Sequence, residues 1–403
     1  MIINFTVGNY RSFKDKKVLS MEATAIKELN ESIIKRDGYK LLPSAVIYGA
    51  NSSGKSNLLK AIGKFTEIIS TSSKLNSTDK LNITPFLLNP HTAQTPSYFE
   101  IELLIDKQIY TYGFTADNQK VYEEWLYVKQ GKNQKEICLF GRVEEGIGIG
   151  DEYSEGAGLE EKVRDNGLFL STVDSFNGEI AGNIISSINS IAIISGINHE
   201  SLSTFTNKLC TEATFSLEFQ QKVQDFLYSM NVGFSRFEIP KDKKLAEEIK
   251  AYTIHHLYNN EGEVIGETRF SMKEHESSGT NKLFDLAALV IGQLDFGYPL
   301  IVDELDSKLH PLLTQHIIKL FNNPATNPKG AQLIFATHDT NLLNVKTFRR
   351  DQIWFTEKDH SEATDLYSLA EFREPEGNKI RKDRSFEKDY INGRYGAIPY
   401  IKD

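Results

Sequence analysis

Short apolar runs separated by turn residues dominate the first part of the chain. In residues 1–22, strand-forming side chains lie on both sides of Gly8-Asn9, which predicts an opening β-hairpin. Residues 45–48 are all apolar, as in a buried strand, and residues 56–71 have the apolar spacing of an amphipathic helix. Further strands are predicted at residues 98–104, 109–115 and 125–128.

From residue 233 onwards, the spacing of strands alternates with that of helices. The predicted elements are strands at residues 233–240, 252–258 and 263–272, a helix at 280–291, a strand at 299–302, a helix at 311–321, and strands at 331–336 and 352–356. Such alternation predicts a mainly parallel sheet, so the expected fold class is α/β with an additional antiparallel β subdomain.

Residues 143–234 differ from both flanking parts, since they contain many Ser and Asn residues and helical stretches such as 217–230. No heptad repeat is sustained in them, so a long coiled coil is not expected. The predicted organisation is therefore a first lobe at residues 1–142, a largely helical insertion at 143–234 that forms a lid or arm, and a second lobe at 235–403.

The composition is ordinary for a soluble globular protein, with 40% hydrophobic and 25% charged residues. A net charge of −9 argues against a surface covered in contacts with nucleic-acid phosphates. Cys138 and Cys210 are far apart and lack zinc-ligand spacing, and no apolar run approaches the ~20 residues that span a bilayer. We therefore expect a protein of the reducing cytoplasm that has no membrane partner.

Residues 49–56 read Gly-Ala-Asn-Ser-Ser-Gly-Lys-Ser and fit the P-loop pattern G-x-x-x-x-G-K-[ST] between a predicted strand and a predicted helix. Backbone N–H groups and the helix N-terminus surround phosphates in such a loop. Lys55 is expected to reach the β- and γ-phosphates of ATP, and Ser56 to bind Mg²⁺. The expected ATP-binding residues are Gly49, Asn51, Ser52, Ser53, Gly54, Lys55, Ser56 and Asn57.

Two later apolar strands end in residues that suit nucleotide chemistry. The run at 299–302 is followed by Asp303, expected to hold Mg²⁺, and by Glu304, expected to act as general base. The run at 333–336 is followed by Thr337 and His338, and His338 is a candidate for holding the attacking water. Each pattern alone also occurs in ordinary strands and turns.

Two loops complete the set of candidate segments. Ser277-Ser278-Gly279-Thr280 begins a predicted helix, where it binds an anion or merely caps the helix. Leu305-Asp306 opens a short loop that ends at Pro311, a residue suited to the first turn of a helix. Taken singly, each is more often a structural connector or cap.

The order of these segments resembles the ABC-type branch of P-loop ATPases that includes the SMC, RecF and OLD proteins, and it implies an ABC-ATPase-like head. In that branch two heads enclose two ATP molecules, and each ATP contacts one subunit's P-loop and the other subunit's signature. The resemblance implies that Ser277, Ser278 and Gly279 form the signature in trans. It also makes Asp306 similar to the D-loop residue and His338 similar to the switch histidine.

The chain departs from that branch in two places. The usual signature is written L-S-G-G-Q, whereas this chain has Glu276 for Leu, Ser278 for the first Gly and Thr280 for Gln. The glutamine of the Q-loop stays unassigned, because no candidate stands in a convincing frame. Those candidates are Gln94, Gln108 and Gln130.

A closer resemblance covers nearly the whole chain. The segments that carry it are residues 5–13, 276–280, 303–306, 309–311, 336–340 and 390–399. They are similar to the AAA-family ATPases of bacterial abortive-infection operons, the AbiL/RloA type. The resemblance implies an ATP-hydrolysing switch in antiphage defence that forms a homodimer or higher homo-oligomer. It also implies a small effector from the same operon, a nuclease of RloB-like or TOPRIM-like type.

Two other functions fit parts of the pattern. A DNA-binding repair or maintenance ATPase resembling RecF or SMC heads is disfavoured by the acidic balance, although nucleic acid stays open as a partner. The basic pair Arg349-Arg350 does not change this, since charge runs usually lie on solvated faces. A self-contained nuclease is disfavoured because only about 65 residues follow His338, too few for a TOPRIM domain.

Overall fold

The computed structural model describes residues 1–195, 217–240, 242, 244, 251–373 and 384–399. In chain order its strands are β1 (Ile2–Gly8), β2 (Lys17–Ser20), β3 (Ile34–Arg36), β4 (Tyr39–Leu41), β5 (Ser44–Tyr48), β6 (Ser97–Ile105), β7 (Gln108–Ala116), β8 (Val121–Lys129), β9 (Ile137–Val143), β10 (Gly146–Ile149), β11 (Ala192–Ser195), β12 (Arg236–Glu238), β13 (Tyr252–Tyr258), β14 (Val264–Ser271), β15 (Leu300–Asp303), β16 (Leu333–Ala336), β17 (Ile353–Lys358) and β18 (Thr364–Ser368). The helices are α1 (Lys55–Thr71), α2 (Phe169–Ser175), α3 (Glu179–Asn189), α4 (Leu217–Ser229), α5 (Met272–His275), α6 (Ser278–Phe296), α7 (Pro311–Asn322) and α8 (Phe386–Ile391). Within the described parts of the chain, no helix combines the length and the apolar character needed to cross a membrane.

One sheet is antiparallel, with seven strands in the order β10-β9-β8-β7-β6-β1-β2. Along β6, buried side chains alternate with partly exposed ones, as expected when one face packs on a core. Asp106 and Lys107, between β6 and β7, have φ values of 45° and 71°, as in the type I′ turns of two-residue hairpins. The predicted opening hairpin is confirmed, because Phe5 of β1 pairs with Leu19 of β2.

The second sheet has six strands in the order β11-β15-β16-β5-β17-β18. The first five run parallel and β18 is antiparallel to β17. Every residue of β5 is buried, as is typical of a strand covered on both faces. The mainly parallel sheet and the antiparallel subdomain are thus confirmed. Because the carboxyl ends of parallel strands meet at one edge, the segments after Tyr48, Asp303 and Ala336 lie together there.

Helix α1 belongs to the apolar core that joins the two sheets. The ring of Phe65 meets Phe5 of β1 edge-on at 5.8 Å and stacks on Phe114 of β7 at 5.5 Å. Ile47 of β5 is part of the same buried cluster, whereas its neighbour Val46 belongs to a second cluster that contains α6 and α7. This alternation along β5 places α1 on one face of the parallel sheet and α6 and α7 on the other.

The segment predicted as an insertion is connected to both large sheets. Its predicted first residue, 143, is the last residue of β9, which pairs with β10, and β11 lies beside β15 in the parallel sheet. Helix α2 starts on the fully buried Glu124 of β8, whose carboxylate accepts the N–H groups of Phe169 at 2.6 Å and Leu170 at 2.9 Å. Residues 196–216 of the segment lie outside the described residues, and the three-part division of the chain stays a prediction.

A third sheet, β12-β13-β14, precedes α6. The strand predicted at 233–240 is limited to Arg236–Glu238, because Gly233 has a φ of 88° and turns the chain just before it. The strand predicted at 263–272 ends one residue earlier, since the Ser271 side chain caps the short helix α5. Strands β3, β4, β9, β10, β11 and β18 were absent from the sequence-based expectation.

Arg349 contradicts the expectation that the basic pair lies on a solvated face. Its guanidinium is fully buried and makes a two-point ion pair with Asp351, at 2.9 and 2.8 Å. It also donates to the Thr24 backbone oxygen at 3.2 Å, and Arg350 pairs with Glu28 at 2.7 Å. Both basic residues therefore hold the segment before β3, and Arg349 has no surface to offer a nucleic-acid phosphate.

Candidate nucleotide site

The loop between β5 and α1 has the backbone of a phosphate cradle. Gly54, the N-cap of α1, has a φ of 117°, which residues with a side chain rarely adopt. A Cβ at Gly54 would overlap the Thr364 side chain, and a Cβ at Gly49 would overlap the Thr356 backbone oxygen. The two glycines thus allow β17 and β18 to approach the loop closely, and α1 begins at Lys55 with its first N–H groups facing the loop.

Lys55 lies inside this loop. The residue is 6% exposed, and its Nζ donates to the Gly49 backbone oxygen at 2.8 Å. Burial lowers the pKa of Lys55, while the carboxylates of Asp303, Glu304 and Asp306 oppose that shift. The Lys55 ammonium is therefore held by backbone oxygens, and the nearby carboxylates favour its charged form.

A chain of hydrogen bonds connects the loop to β18. Asn57 Nδ2 donates to Ser12 Oγ at 2.8 Å, Ser12 Oγ lies 2.8 Å from Thr364 Oγ1, and Thr364 donates to the Ser53 backbone oxygen at 2.9 Å. Because a carbonyl only accepts, the Thr364 proton points to Ser53 and the Ser12 proton to Thr364. Sequence reasoning missed both contacts. Ser12 lies in the segment 5–13 that carries the family resemblance, but it was given no role at the site, and Thr364 lies in a segment that carries no motif.

Acidic residues lie at the end of β15 and just after it, and β15 is two strands from β5 in the same sheet. In the part of the chain described, Oδ1 of Asp303 and Oδ1 of Asp306 are buried and have no hydrogen-bond partner. A buried polar atom left this way costs about 1–3 kcal/mol unless a ligand satisfies it. Glu304 has a φ of 55°, a left-handed conformation that is often found at functional sites. Partnerless carboxylate oxygens beside a phosphate loop are suited to Mg²⁺.

Mg²⁺ usually keeps several waters and binds one or two carboxylates together with substrate phosphates. Such a site needs no dedicated cage of protein ligands. Accordingly, no group of three or more His, Cys, Asp or Glu side chains among the described residues is arranged to hold a metal ion by itself. The donor set at Asp303 fits a cation that is shared with a nucleotide.

The start of α6 is joined to the loop that follows β15. Ser277 caps the helix, because its Oγ accepts the Thr280 N–H at 3.1 Å. The fully buried Lys282 donates from Nζ to the backbone oxygens of Leu305, at 3.4 Å, and Ser307. Burial lowers the pKa of Lys282 to about 8. Since a buried ammonium needs such acceptors, Lys282 makes the helix start and the loop one unit.

The structure places the predicted site residues in two groups. One group lies at the carboxyl edge of the parallel sheet and consists of Gly49, Asn51, Ser52, Ser53, Gly54, Lys55, Ser56, Asn57, Asp303, Glu304, Asp306 and His338. His338 is exposed and follows β16, the strand between β5 and β15. The other group, Ser277, Ser278 and Gly279, lies at the start of α6, where both serines are exposed.

A match to a protein family covers most of the chain. Residues 44–344 match a family described as "AAA domain, putative AbiEii toxin, Type IV TA system". The chain belongs to this AAA family. The matched region begins at the first residue of β5 and ends beyond His338, so it includes both groups of site residues in this AAA domain.

The chain is also similar to solved structures of SMC heads. The SMC head domain from Thermotoga maritima is 13% identical, covers 91% of this chain and 98% of its own, and has a TM-score of 0.45. An SMC head bound to the C-terminal winged-helix domain of ScpA is 12% identical, with coverage of 91% and 97% and a TM-score of 0.46. No curated protein matches the sequence.

Proposed function

We propose that this AAA protein binds ATP with Mg²⁺ and hydrolyses the ATP to ADP and phosphate. The observation that carries the proposal is the buried Lys55 ammonium inside the loop, together with the Asp303 oxygen at the end of β15, which has no hydrogen-bond partner. Lys55 would exchange its backbone acceptors for β- and γ-phosphate oxygens, and residues 51–57 would surround the phosphates. Ser56 and Asp303 would hold Mg²⁺, which neutralises phosphate charge when bound.

Glu304 is the proposed general base and His338 the proposed holder of the attacking water. Glu304 directly follows Asp303 at the strand end, and its left-handed backbone turns the chain away from β15. His338 is exposed at the end of the adjacent β16. Carboxylate and imidazole groups at such positions can accept or orient the proton of a water beside the γ-phosphate.

We further propose that two copies of the chain pair around ATP. Ser277 and Ser278 are exposed at the N-terminus of the 19-residue helix α6, where free N–H groups and the helix dipole favour an anion. In this proposal Ser277, Ser278 and Gly279 contact the γ-phosphate held by the partner copy. Asp306, in the loop after β15, is the D-loop residue and lies between the two ATP sites of the pair. A homodimer is the smallest assembly that completes such a site.

For the cell, we propose a cytoplasmic switch in bacterial antiphage defence, of the AbiL/RloA type. ATP-dependent pairing would control a small effector protein encoded nearby. The family description, which names a toxin of a toxin–antitoxin system, supports this direction. Phage plating on cells that carry the chain with its neighbouring gene tests it, with Lys55→Ala as the control. Equal plating for the two forms would refute the defence role.

The deciding biochemical experiment uses the full chain with Glu304→Gln. This variant should bind ATP normally but hydrolyse it about 100-fold more slowly or worse, as expected for loss of a general base. In size-exclusion chromatography with light scattering, ATP should shift it from one 45.6 kDa chain to two. The double variant with Lys55→Ala should stay a single chain. An ATP-independent monomer would exclude pairing, and unchanged hydrolysis would exclude Glu304 as base.

A further inference from the structure

The side chain of Glu276, a position at which the signature departs from L-S-G-G-Q, contacts the third sheet. Its side chain is 10% exposed, and Oε1 accepts a hydrogen bond from Thr253 Oγ1 at 2.7 Å. His255 Nε2 lies 2.8 Å from the same oxygen. The two partners are two residues apart on β13 and so lie on one face of that strand. Glu276 immediately precedes Ser277, the N-cap of α6.

Aromatic packing holds the His255 ring in place. The Phe270 ring of β14 packs against it with centroids 4.6 Å apart, and Phe270 in turn stacks on His275 at 5.4 Å. His275 is itself held, since its Nδ1 accepts the Ser271 N–H at 3.2 Å. The imidazole of His255 therefore has little freedom to turn, and its Nε2 stays directed at the Glu276 carboxylate.

Asn281 holds the same segment from the helix side. Its Nδ2 donates to three backbone oxygens, of Met272 at 2.8 Å and of Glu276 and Ser277 at 3.2 Å each. The chain between β14 and α6 is thus attached at one side to β13 and at the other to the first turn of α6. The position of the exposed Ser277 and Ser278 and of the half-buried Gly279 follows from both attachments.

We propose that Thr253, His255 and Glu276 form a positioning cluster that sets residues 277–279 for the ATP of the partner copy, so that the third sheet governs self-association. This inference rests on the proposed pairing. A free carboxylate at 276 would stand one residue from the expected γ-phosphate contact and repel it, because like charges at short range oppose each other. The two donors instead hold the carboxylate against β13.

The test compares His255→Phe with His256→Phe in the full chain. His255→Phe keeps a ring against Phe270 and removes the donor to Glu276, whereas His256 is the exposed neighbour on the opposite face of β13. ATPase rate per chain is measured against protein concentration, and affinity for a non-hydrolysable ATP analogue is measured at low concentration. For His255→Phe the half-maximal protein concentration should rise about tenfold, the usual effect of losing a hydrogen bond to a charged group.

Analogue affinity should stay within about twofold of the wild type, since the phosphate loop is untouched, and His256→Phe should change neither quantity. A merely structural role would lower analogue affinity together with pairing, and that result would overturn the inference. So would an unchanged concentration dependence. Thr253→Val, which preserves shape and removes the second donor, decides the question if His255→Phe does not fold. A wild-type rate independent of protein concentration would instead overturn the pairing itself, and this inference with it.

Discussion

Thr364→Val tests whether β18 holds the phosphate loop in its binding conformation. Valine has the shape of threonine but lacks the hydroxyl, which donates to the Ser53 backbone oxygen at 2.9 Å and lies 2.8 Å from Ser12 Oγ. Thr364 is 2% exposed, so water has little access to replace the lost bond. Ser12 is only half-buried and can turn its hydroxyl to solvent.

The expected magnitude follows from the Ser53 carbonyl. Leaving a buried acceptor without a partner costs about 1–3 kcal/mol. If the whole cost falls on the conformation that binds phosphate, affinity for ATP drops by about 5- to 150-fold, since 1.4 kcal/mol corresponds to a factor of ten. We expect a Kd about tenfold higher, because small shifts of the loop recover part of the lost interaction.

Calorimetric titration with a non-hydrolysable ATP analogue measures the Kd. Thr172→Val is the matched control, because the Thr172 hydroxyl donates to the Leu168 backbone oxygen at 3.0 Å in α2, in a region that carries no predicted site residue. It should leave the Kd unchanged. If Thr364→Val binds the analogue as tightly as the wild type does, the hydrogen-bond chain does not prepare the loop and the reasoning is wrong.

Three further predictions concern the same region. Lys55→Ala should abolish ATP binding, and an undiminished calorimetric signal would contradict the proposed contact of Lys55 with the β- and γ-phosphates. Gly54→Ala should weaken ATP binding by about tenfold or more, because the added Cβ would overlap the Thr364 side chain of β18 and a φ of 117° is strained for alanine. Gly38→Ala is the control: its φ is 83°, but the added Cβ would meet open space, so the Kd should stay unchanged. The lowered pKa of Lys282, about 8 against 10.5, means that the unfolded chain binds that proton more tightly, so the free energy of unfolding should rise between pH 8 and 10.5. Denaturant titrations measure the free energy of unfolding at each pH, and in Lys282→Met the rise should be smaller than in the wild type by up to roughly 3 kcal/mol. If the wild type and Lys282→Met show the same rise, Lys282 does not titrate in this pH range.

The elements around the phosphate loop could be predicted because their signals are local. Residues 45–48 and 56–71 carry the periodicity of a buried strand and an amphipathic helix, and the structure has β5 and α1 there. The acidic residues after β15 were found in the same way. Strand β18 was missed because residues 364–368 contain two polar side chains that are buried, Thr364 and Ser368, so their pattern lacks the signal of a core strand.

Charged side chains show the other limit of the sequence. Arg349 and Lys282 look like solvent-facing residues, yet both are fully buried. Burial of a cation depends on acceptors brought by other segments: Asp351 and the Thr24 backbone oxygen for Arg349, and the Leu305 backbone oxygen for Lys282. No pattern within a window of neighbouring residues specifies these partners.

The sequence by itself determined the conformation of the loop and the positions of the residues for which we propose ATP binding. Glycines at 49 and 54 permit the backbone that surrounds phosphate, and Lys55 and Asp303 follow short apolar strands whose carboxyl ends must meet in a parallel sheet. Only the tertiary structure decided which distant residues support the two parts of the proposed site: Thr364 from β18 contacts the loop, and Thr253 and His255 from β13 contact Glu276 beside the start of α6. The reason is physical, since local patterns encode backbone conformation and burial, whereas contacts between distant segments depend on how whole sheets and helices pack.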